Sequence, residues 1–421
     1  MKIAVWYNLP SGGAKRALYY HVRGLVERGH QVEIWCPPTA DRDYLPLSEF
    51  ASEHVVPLRS RTQKPRGIVG RSLKEFHAVM DAIADMDEHC GRCAEQMRAG
   101  GFDLLFANTC MMFAAAAIGR HVDMPKVLYL QEPYRDLYEA RPNFAWAAQP
   151  TVTSLWRSPR ALKRSLVDMA DIQALRIKAR QERLNAEAYD AILVNSYFSR
   201  ESVIRAYNLD AKVCYLGIDT ALFADQHLPR EDFVVGLGQI SPHKNPQFVI
   251  EAVAEIPAPR PRLVWIGNME SYRYAEELQQ FAQDRGVEFE AKVRISNEEL
   301  RSLLNRARLM LYAPRLEPFG FAPLEGNACG LPVVAVAEGG VRETVVDGVN
   351  GLLVESTPQA MGAAAVRLLR APSYAAQIGQ DGHRVVSERW SLPASIDRLE
   401  KAFSETLSEK SSPRTSHLAL V

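Results

Sequence analysis

The sequence is short of the features that place a chain in a special class. Six cysteines in 421 residues, at Cys36, Cys90, Cys93, Cys110, Cys214 and Cys329, are too few and too scattered for a disulfide framework, so reduced thiols are expected. Cys90-Gly-Arg-Cys93 has the spacing of a redox or zinc pair, but no second pair accompanies it and it lies between helix-like stretches. No segment approaches the length of an apolar membrane span, and the opening MKIAVWYNLPSGG has neither a sustained apolar region nor a cleavage signal. The expectation is a cytoplasmic protein without a membrane span. Net charge is missing as well: 50 basic residues balance 50 acidic ones. No global field draws such a chain to nucleic acid or to an anionic surface, so any attraction for phosphate is local and no nucleic-acid partner is expected.

What is present is length enough for two hydrophobic cores, and a repeated rhythm. Apolar runs at Lys2–Trp6, Gln31–Cys36, Leu104–Ala107, Val127–Leu130, Ala191–Asn195 and Lys212–Leu216 alternate with helix-length stretches. That alternation predicts an α/β chain with a parallel sheet covered by helices on both faces. After Gly217 the chain turns polar and irregular through Leu228. A second series then follows at Phe233–Leu237, Arg262–Ile266, Val287–Glu290, Leu309–Tyr312, Pro332–Val336 and Gly351–Val354. The architecture is thus expected twice, with a hinge within 218–229 and ligands in the cleft between the halves, outside the carboxyl ends of the strands. The end from Ser408 reads as a flexible tail.

Two basic stretches stand apart from this rhythm. Arg59 to Lys74 holds six basic residues and no acidic one, and the helical insertion Arg141 to Arg183 carries Trp146, Trp156, Arg157, Arg160, Lys163 and Arg164. Both suit an anionic membrane surface or a lipid-linked acceptor, and a basic loop with a solvated helix face explains them equally well. Asp85-Met-Asp87 spells a metal-binding D-x-D but falls in a helical acidic stretch, so no metal is expected there.

The chemistry concentrates in Pro314-Arg-Leu-Glu317-Pro-Phe-Gly320-Phe-Ala-Pro323-Leu-Glu325-Gly-Asn-Ala-Cys-Gly330. A strand ends near Tyr312, a loop carries Glu317 and Gly320, and Pro323 suits the first turn of a helix, where its missing N–H costs nothing. The amides of Phe319, Gly320, Phe321 and Ala322 would then surround a positive helix end that binds phosphate without a metal. Glu325, in the first turn, reaches a ribose edge and Glu317 reaches sugar hydroxyls. Each acid alone is explained as well by the helix dipole or by a polar surface.

Glu317 and Glu325 form an E-x7-E pair, and the run EPFGFAPLEGNACGLPVVAVAEGG resembles the signature of the retaining glycosyltransferase family 4. The likeness extends to Ser11-Gly-Gly-Ala-Lys-Arg16, Asn195-Ser196, Gly217-Ile-Asp219, Gly238-Gln-Ile-Ser-Pro-His-Lys244 and Asp347-Gly348-Val-Asn-Gly351. It implies a GT-B fold: an acceptor domain over 1–217, a linker over 218–229, a donor domain over 230–385, a helical segment 386–407 packing back on the first domain, and a tail 408–421. It implies a UDP- or GDP-linked sugar as donor and a glycan, lipid-linked or small-molecule acceptor, without metal or other cofactor. By the same resemblance Lys244 neutralises the diphosphate, Glu325 takes the ribose, Glu317 orients the sugar, and Gly12 and Gly13 bring amides to the donor phosphate. Base contacts are placed around Lys292, Val293 and Arg294, catalysis also near Gln131, and the acceptor near Glu132 and Arg135, which could equally be a structural pair.

The chain departs from the family pattern at Gln239, where arginine is usual, and at Gln131, where many relatives have histidine. The first removes a charge from the diphosphate clamp, and the second cannot become a cation. These departures motivate a catalytically weak sugar-nucleotide-binding protein as an alternative, beside a GT-B sugar-nucleotide epimerase. A nicotinamide enzyme is suggested by Gly236-Leu-Gly238-Gln-Ile-Ser241 with Glu255, but Ser241 stands where the third glycine belongs.

Overall fold

The inner strands of this chain are buried on both faces, as parallel strands between two helix layers must be; Lys2–Asn8 is hidden from its second residue onward. The computed structural model describes residues 1–59, 73–138, 159–268 and 272–411. The described chain forms two compact units. One comprises Met1–Val194, Ser199–Cys214 and the chain from Ile396 onward; the other comprises Asn195–Phe198 and Tyr215–Ser395.

The first unit holds strands β1 (Lys2–Asn8), β2 (Gln31–Cys36), β3 (Ser52–Val55), β4 (Leu104–Cys110), β5 (Lys126–Gln131), β6 (Ala191–Val194) and β7 (Lys212–Val213). Its longer helices are α1 (Gly13–Glu27), α2 (Lys74–Gly100), α3 (Pro159–Glu187) and α4 (Tyr197–Tyr207), the last starting in the other unit's short segment. The sheet is parallel in the order β3-β2-β1-β4-β5-β6-β7. The second unit holds β8 (Phe233–Leu237), β9 (Arg262–Ile266), β10 (Phe289–Lys292), β11 (Leu309–Tyr312), β12 (Val333–Val336) and β13 (Leu352–Val354). They run in parallel as β10-β9-β8-β11-β12-β13. Its helices are α5 (Pro246–Ala254), α6 (Tyr272–Gln283), α7 (Asn297–Arg306), α8 (Phe321–Ala328), α9 (Val341–Thr344), α10 (Pro358–Arg370) and α11 (Pro372–Arg389), followed by α12 (Leu392–Ser411).

The chain is therefore α/β with two Rossmann-like parallel sheets. The strand order of each reverses once, between β1 and β4 and between β8 and β11. Such a reversal splays the two following loops apart and opens a crevice at the carboxyl ends. Each unit buries its own core: Trp6, Met86, Leu105 and Leu128 in the first, Val234, Trp265, Leu311 and Val334 in the second.

Several expectations change. Lys212–Leu216 yields only the two residues of β7, and β3 was not foreseen. Cys90 and Cys93 lie within α2 rather than between helices, buried and unbonded, and burial pushes the Cys93 thiol up to about 12, away from its thiolate. Ser408 belongs to α12 rather than to a flexible tail. Of the two basic stretches, residues 60–72 and Trp146, Trp156 and Arg157 lie outside the described residues. No helix among the described residues is long and apolar enough to cross a membrane.

Candidate active site

At the strand-order reversal of the second unit, two loops leave the carboxyl ends of β8 and β11. The first runs from Gly238 to Lys244. Its backbone is fixed by Trp265, whose Nε1 donates to the Gly238 carbonyl at 2.8 Å, and by the Ile240 N–H, which donates to the Asn268 carbonyl at 2.7 Å. Two bonds tie it to the second loop: the Arg315 N–H to the His243 carbonyl at 3.2 Å, and Asn245 Nδ2 to the Ala313 carbonyl at 3.2 Å.

The loops bring Lys244 and Glu317 together, 73 residues apart in sequence, with Nζ donating to Oε2 at 2.6 Å. Both side chains are mostly sheltered, 30% and 17% exposed, so the pair is less screened than a surface ion pair. Behind it stands Tyr312 at the end of β11. Burial first, and then the carboxylates of Glu317 and Glu325, push its phenol well above its ordinary range, so Tyr312 remains a donor, with Glu317 as its partner. Both acids of the E-x7-E spacing thus act on one buried phenol, Glu317 through a hydrogen bond and Glu325 through its charge.

Glu325 is 2% exposed. It is the fifth residue of α8, a turn deeper than the first-turn place expected for it. α8 starts at Gly320 without a side-chain cap, at φ 93°, and a Cβ there would lie 3.3 Å from Val341. Only glycine adopts that left-handed start without strain. Phe319 and Ala322 are buried beside it and Phe321 half-buried. Gln239 is exposed on the first loop, and Val293, half-buried, packs against the core just beyond β10. Lys292 pairs with Glu290 and Glu299, at 3.1 and 3.5 Å.

The first unit holds the other residues named from sequence. Gly12 and Gly13 are exposed where β1 gives way to α1, Gly12 at φ 143°. Gln131 ends β5 at φ 63°, a strained backbone for a residue with a side chain, beside a shift of register against β6. Glu132 and Arg135 pair with each other at 2.6 Å.

Three groups escaped the sequence reading. Glu343 accepts from the Tyr197 and Phe198 amides and from the Tyr215 hydroxyl at 2.9, 3.0 and 2.8 Å. Glu182, buried in α3, accepts from the Ala114 N–H and the Tyr207 hydroxyl at 3.2 and 3.1 Å, and burial raises it to about 7. Lys15 is fully buried and donates to the Tyr7 hydroxyl at 3.1 Å. No spacing signals Glu343 or Glu182, whose partners stand 25 to 146 residues away in loops and helices, while Lys15 bonds Tyr7 only 8 residues before it. Among the described residues no cluster of three or more metal-ligating side chains occurs.

Comparison with known proteins places these features. Residues 11–222 match the model of Glycosyltransferase Family 4, and residues 219–385 that of Glycosyl transferases group 1. The chain is 25% identical to an alpha-1,3/1,6-mannosyltransferase of Rhizomucor pusillus, over 93% of this chain and 89% of the relative. It is 28% identical to a D-inositol 3-phosphate glycosyltransferase of a Mycobacterium strain, over 46% of this chain and 48% of that one. Among solved structures, the Anabaena protein HepE in complex with UDP aligns with a TM-score of 0.66 at 20% identity, covering 96% of this chain and all of its own. Sucrose-phosphate synthase of Thermosynechococcus elongatus aligns with a TM-score of 0.70 at 18% identity, covering 97% and 100%.

Proposed function

Because the chain belongs to glycosyltransferase family 4, we propose that it is a retaining, metal-independent hexosyltransferase that moves a sugar from a UDP- or GDP-linked donor to an acceptor as an α-glycoside. The acceptor is a glycan, a lipid-linked saccharide or a small molecule. The carrying observation is the Lys244–Glu317 contact of 2.6 Å beside the uncapped start of α8.

Breaking a glycosyl–phosphate bond develops positive charge on the sugar ring and negative charge on the departing diphosphate. Lys244 and the amides at the start of α8 meet the departing charge, and prepositioned donors of this kind contribute several kcal/mol in a sheltered site. Glu325 holds the ribose hydroxyls, and its depth in α8 keeps it clear of the phosphates. Glu317 has one oxygen occupied by an ammonium, which suits holding a sugar hydroxyl and weakens it as a nucleophile toward carbon. With Glu317 so engaged, the acceptor enters on the leaving-group side and the phosphate takes its proton. Gln131, held at positive φ, and the Glu132–Arg135 pair serve the acceptor. A nucleotide-sugar donor accords with the UDP bound by HepE, and sugar acceptors accord with the mannosyltransferase relative.

Transfer from UDP-glucose or GDP-mannose, run in excess EDTA and followed by NMR of the new anomeric centre, tests the reading. An α-linked product is expected. A β-linked product would overturn retention, and activity that returns only with Mg2+ or Mn2+ would overturn metal independence.

A further inference from the structure

α9 is a single turn of helix with contacts on two sides. On one side it grips the loop that carries Glu317. The Gly340 N–H just before it donates to the Glu317 carbonyl at 2.7 Å, and Thr344 Oγ1 donates to the Phe319 carbonyl at 3.4 Å. A Cβ on Gly340 would fall 2.1 Å from the Pro318 carbonyl oxygen, so the two backbones touch directly.

On its other side α9 presents Glu343. One carboxylate oxygen accepts from the Phe198 N–H, and the other from both the Tyr197 N–H and the Tyr215 hydroxyl. Tyr197 and Phe198 open α4, so the carboxylate also answers the positive end of that helix. Burial, and then Glu343, push the Tyr215 phenol up, which keeps it a donor. From there a series of rings in edge contact leads back to the loop. Tyr197 meets Tyr215 at 6.4 Å, Tyr215 meets Trp390 at 5.0 Å, and Trp390 meets Phe319 at 5.6 Å. Tyr197, Phe198, Tyr215 and Trp390 all lie within a few residues of the points where the chain passes from one unit to the other, after Val194, Phe198, Cys214 and Ser395.

We propose that Glu343 is a positioning residue for the transfer step: by anchoring α9 to Tyr197, Phe198 and Tyr215 it fixes the loop of Glu317 to Gly320. The carboxylate that holds the sugar then depends on it, whereas Glu325, carried on α8 and packed in the core, does not. This rests on the assignment of Glu317 to the transferred sugar and of Glu325 to the ribose.

Calorimetric titration with UDP and GDP, beside steady-state kinetics with UDP-glucose and GDP-mannose, separates the two dependences. Glu343→Gln keeps the shape and loses one accepting oxygen. It is expected to leave nucleoside diphosphate affinity within about 3-fold of wild type while kcat falls about 10- to 100-fold, since a small displacement of a substrate-holding group costs rate on that scale. Tyr215→Phe removes one donor and is expected to act in the same direction, by about 3- to 10-fold in kcat. Unchanged kcat in both variants overturns the inference. So does a joint fall of nucleoside diphosphate affinity and melting temperature, the mark of a merely structural role. Failure of the wild type to bind either nucleoside diphosphate instead removes the assignment of the site itself, and the inference with it.

Discussion

Two helices of this protein begin in the same way and bury opposite charges. α1 starts after Gly12 at φ 143° and α8 after Gly320 at φ 93°, both without a side-chain cap. α8 buries Glu325 in its second turn, beyond the first turn in which the backbone dipole favours an acid. α1 buries Lys15 in its first turn, where the dipole opposes a cation. The protein manages this through a chain of contacts. Lys15 donates to Tyr7 and lies over its ring at 4.2 Å, Tyr7 donates to Glu53 at 2.6 Å, and Arg42 donates to Glu53 at 2.8 Å. On the proposed function the start of α8 meets an external anion, whereas the cation in the first turn of α1 is held in an internal network.

The largest effects are expected at α8 and its neighbouring loop. Lys244→Ala should lower kcat/KM about 1000-fold, with much of the loss in kcat, because the ammonium meets charge that grows as the diphosphate leaves. Glu325→Ala should weaken donor binding about 10- to 100-fold and alter kcat less, as a ribose contact is uniform between ground and transition states. Steady-state kinetics and nucleotide titrations check both. If Lys15→Met costs as much in kcat as Lys244→Ala, the two helix starts are functionally alike and the contrast between them fails.

Stability sharpens the same contrast. Burial, the largest influence, holds Lys15 down to about 8 from its ordinary 10.5, against the opposing charge of Glu53. Between those values the unfolded chain binds the proton and the folded chain does not, so stability rises with pH across this window, and the penalty is fully present below pH 8. Lys15→Met should therefore be more stable than wild type at pH 7, by about 2 to 3 kcal/mol, and lose the advantage by pH 10.5. Thermal melts at the two pH values decide; a less stable variant at pH 7 means that the Tyr7 contact outweighs the cost of burying the charge. Arg42→Ala comes last: the side chain is 46% exposed, so its loss should cost less than about 1 kcal/mol by denaturant unfolding. A larger cost would make Arg42 part of the buried network rather than its rim.

The sheets were legible because buried parallel strands are dense apolar runs. Gln31–Cys36, Phe233–Leu237, Arg262–Ile266 and Leu309–Tyr312 have the same ends in the sequence reading and in the structure. β3, Ser-Glu-His-Val at a sheet edge, is half-exposed and polar, so no pattern marks it. Lys212–Leu216 misled because it is apolar for another reason: only its first two residues pair with β6, and Tyr215 and Leu216 pack in the other unit. At the site, the family resemblance named Lys244 and the E-x7-E spacing named Glu317 and Glu325, while their geometry was hidden. The shared phenol of Tyr312 and the grip of Glu343 on residues 128 to 146 positions away depend on which loops the strand order brings together.

The return of the chain to its first unit has a consequence for synthesis on the ribosome. α12 closes that unit: Phe403 is buried against Phe106 at 5.1 Å, Arg28 holds Asp397 at 2.7 Å and Glu400, and Lys212 holds Glu405 and Glu409, both at 3.2 Å. The second unit, by contrast, lies almost wholly within Tyr215–Ser395. Domains are made in order from the amino end and fold as units when their parts are available. Here the half translated first waits for a helix translated after the second half, so the second half has its full complement of strands while the first still exposes the surface that Phe403 will cover.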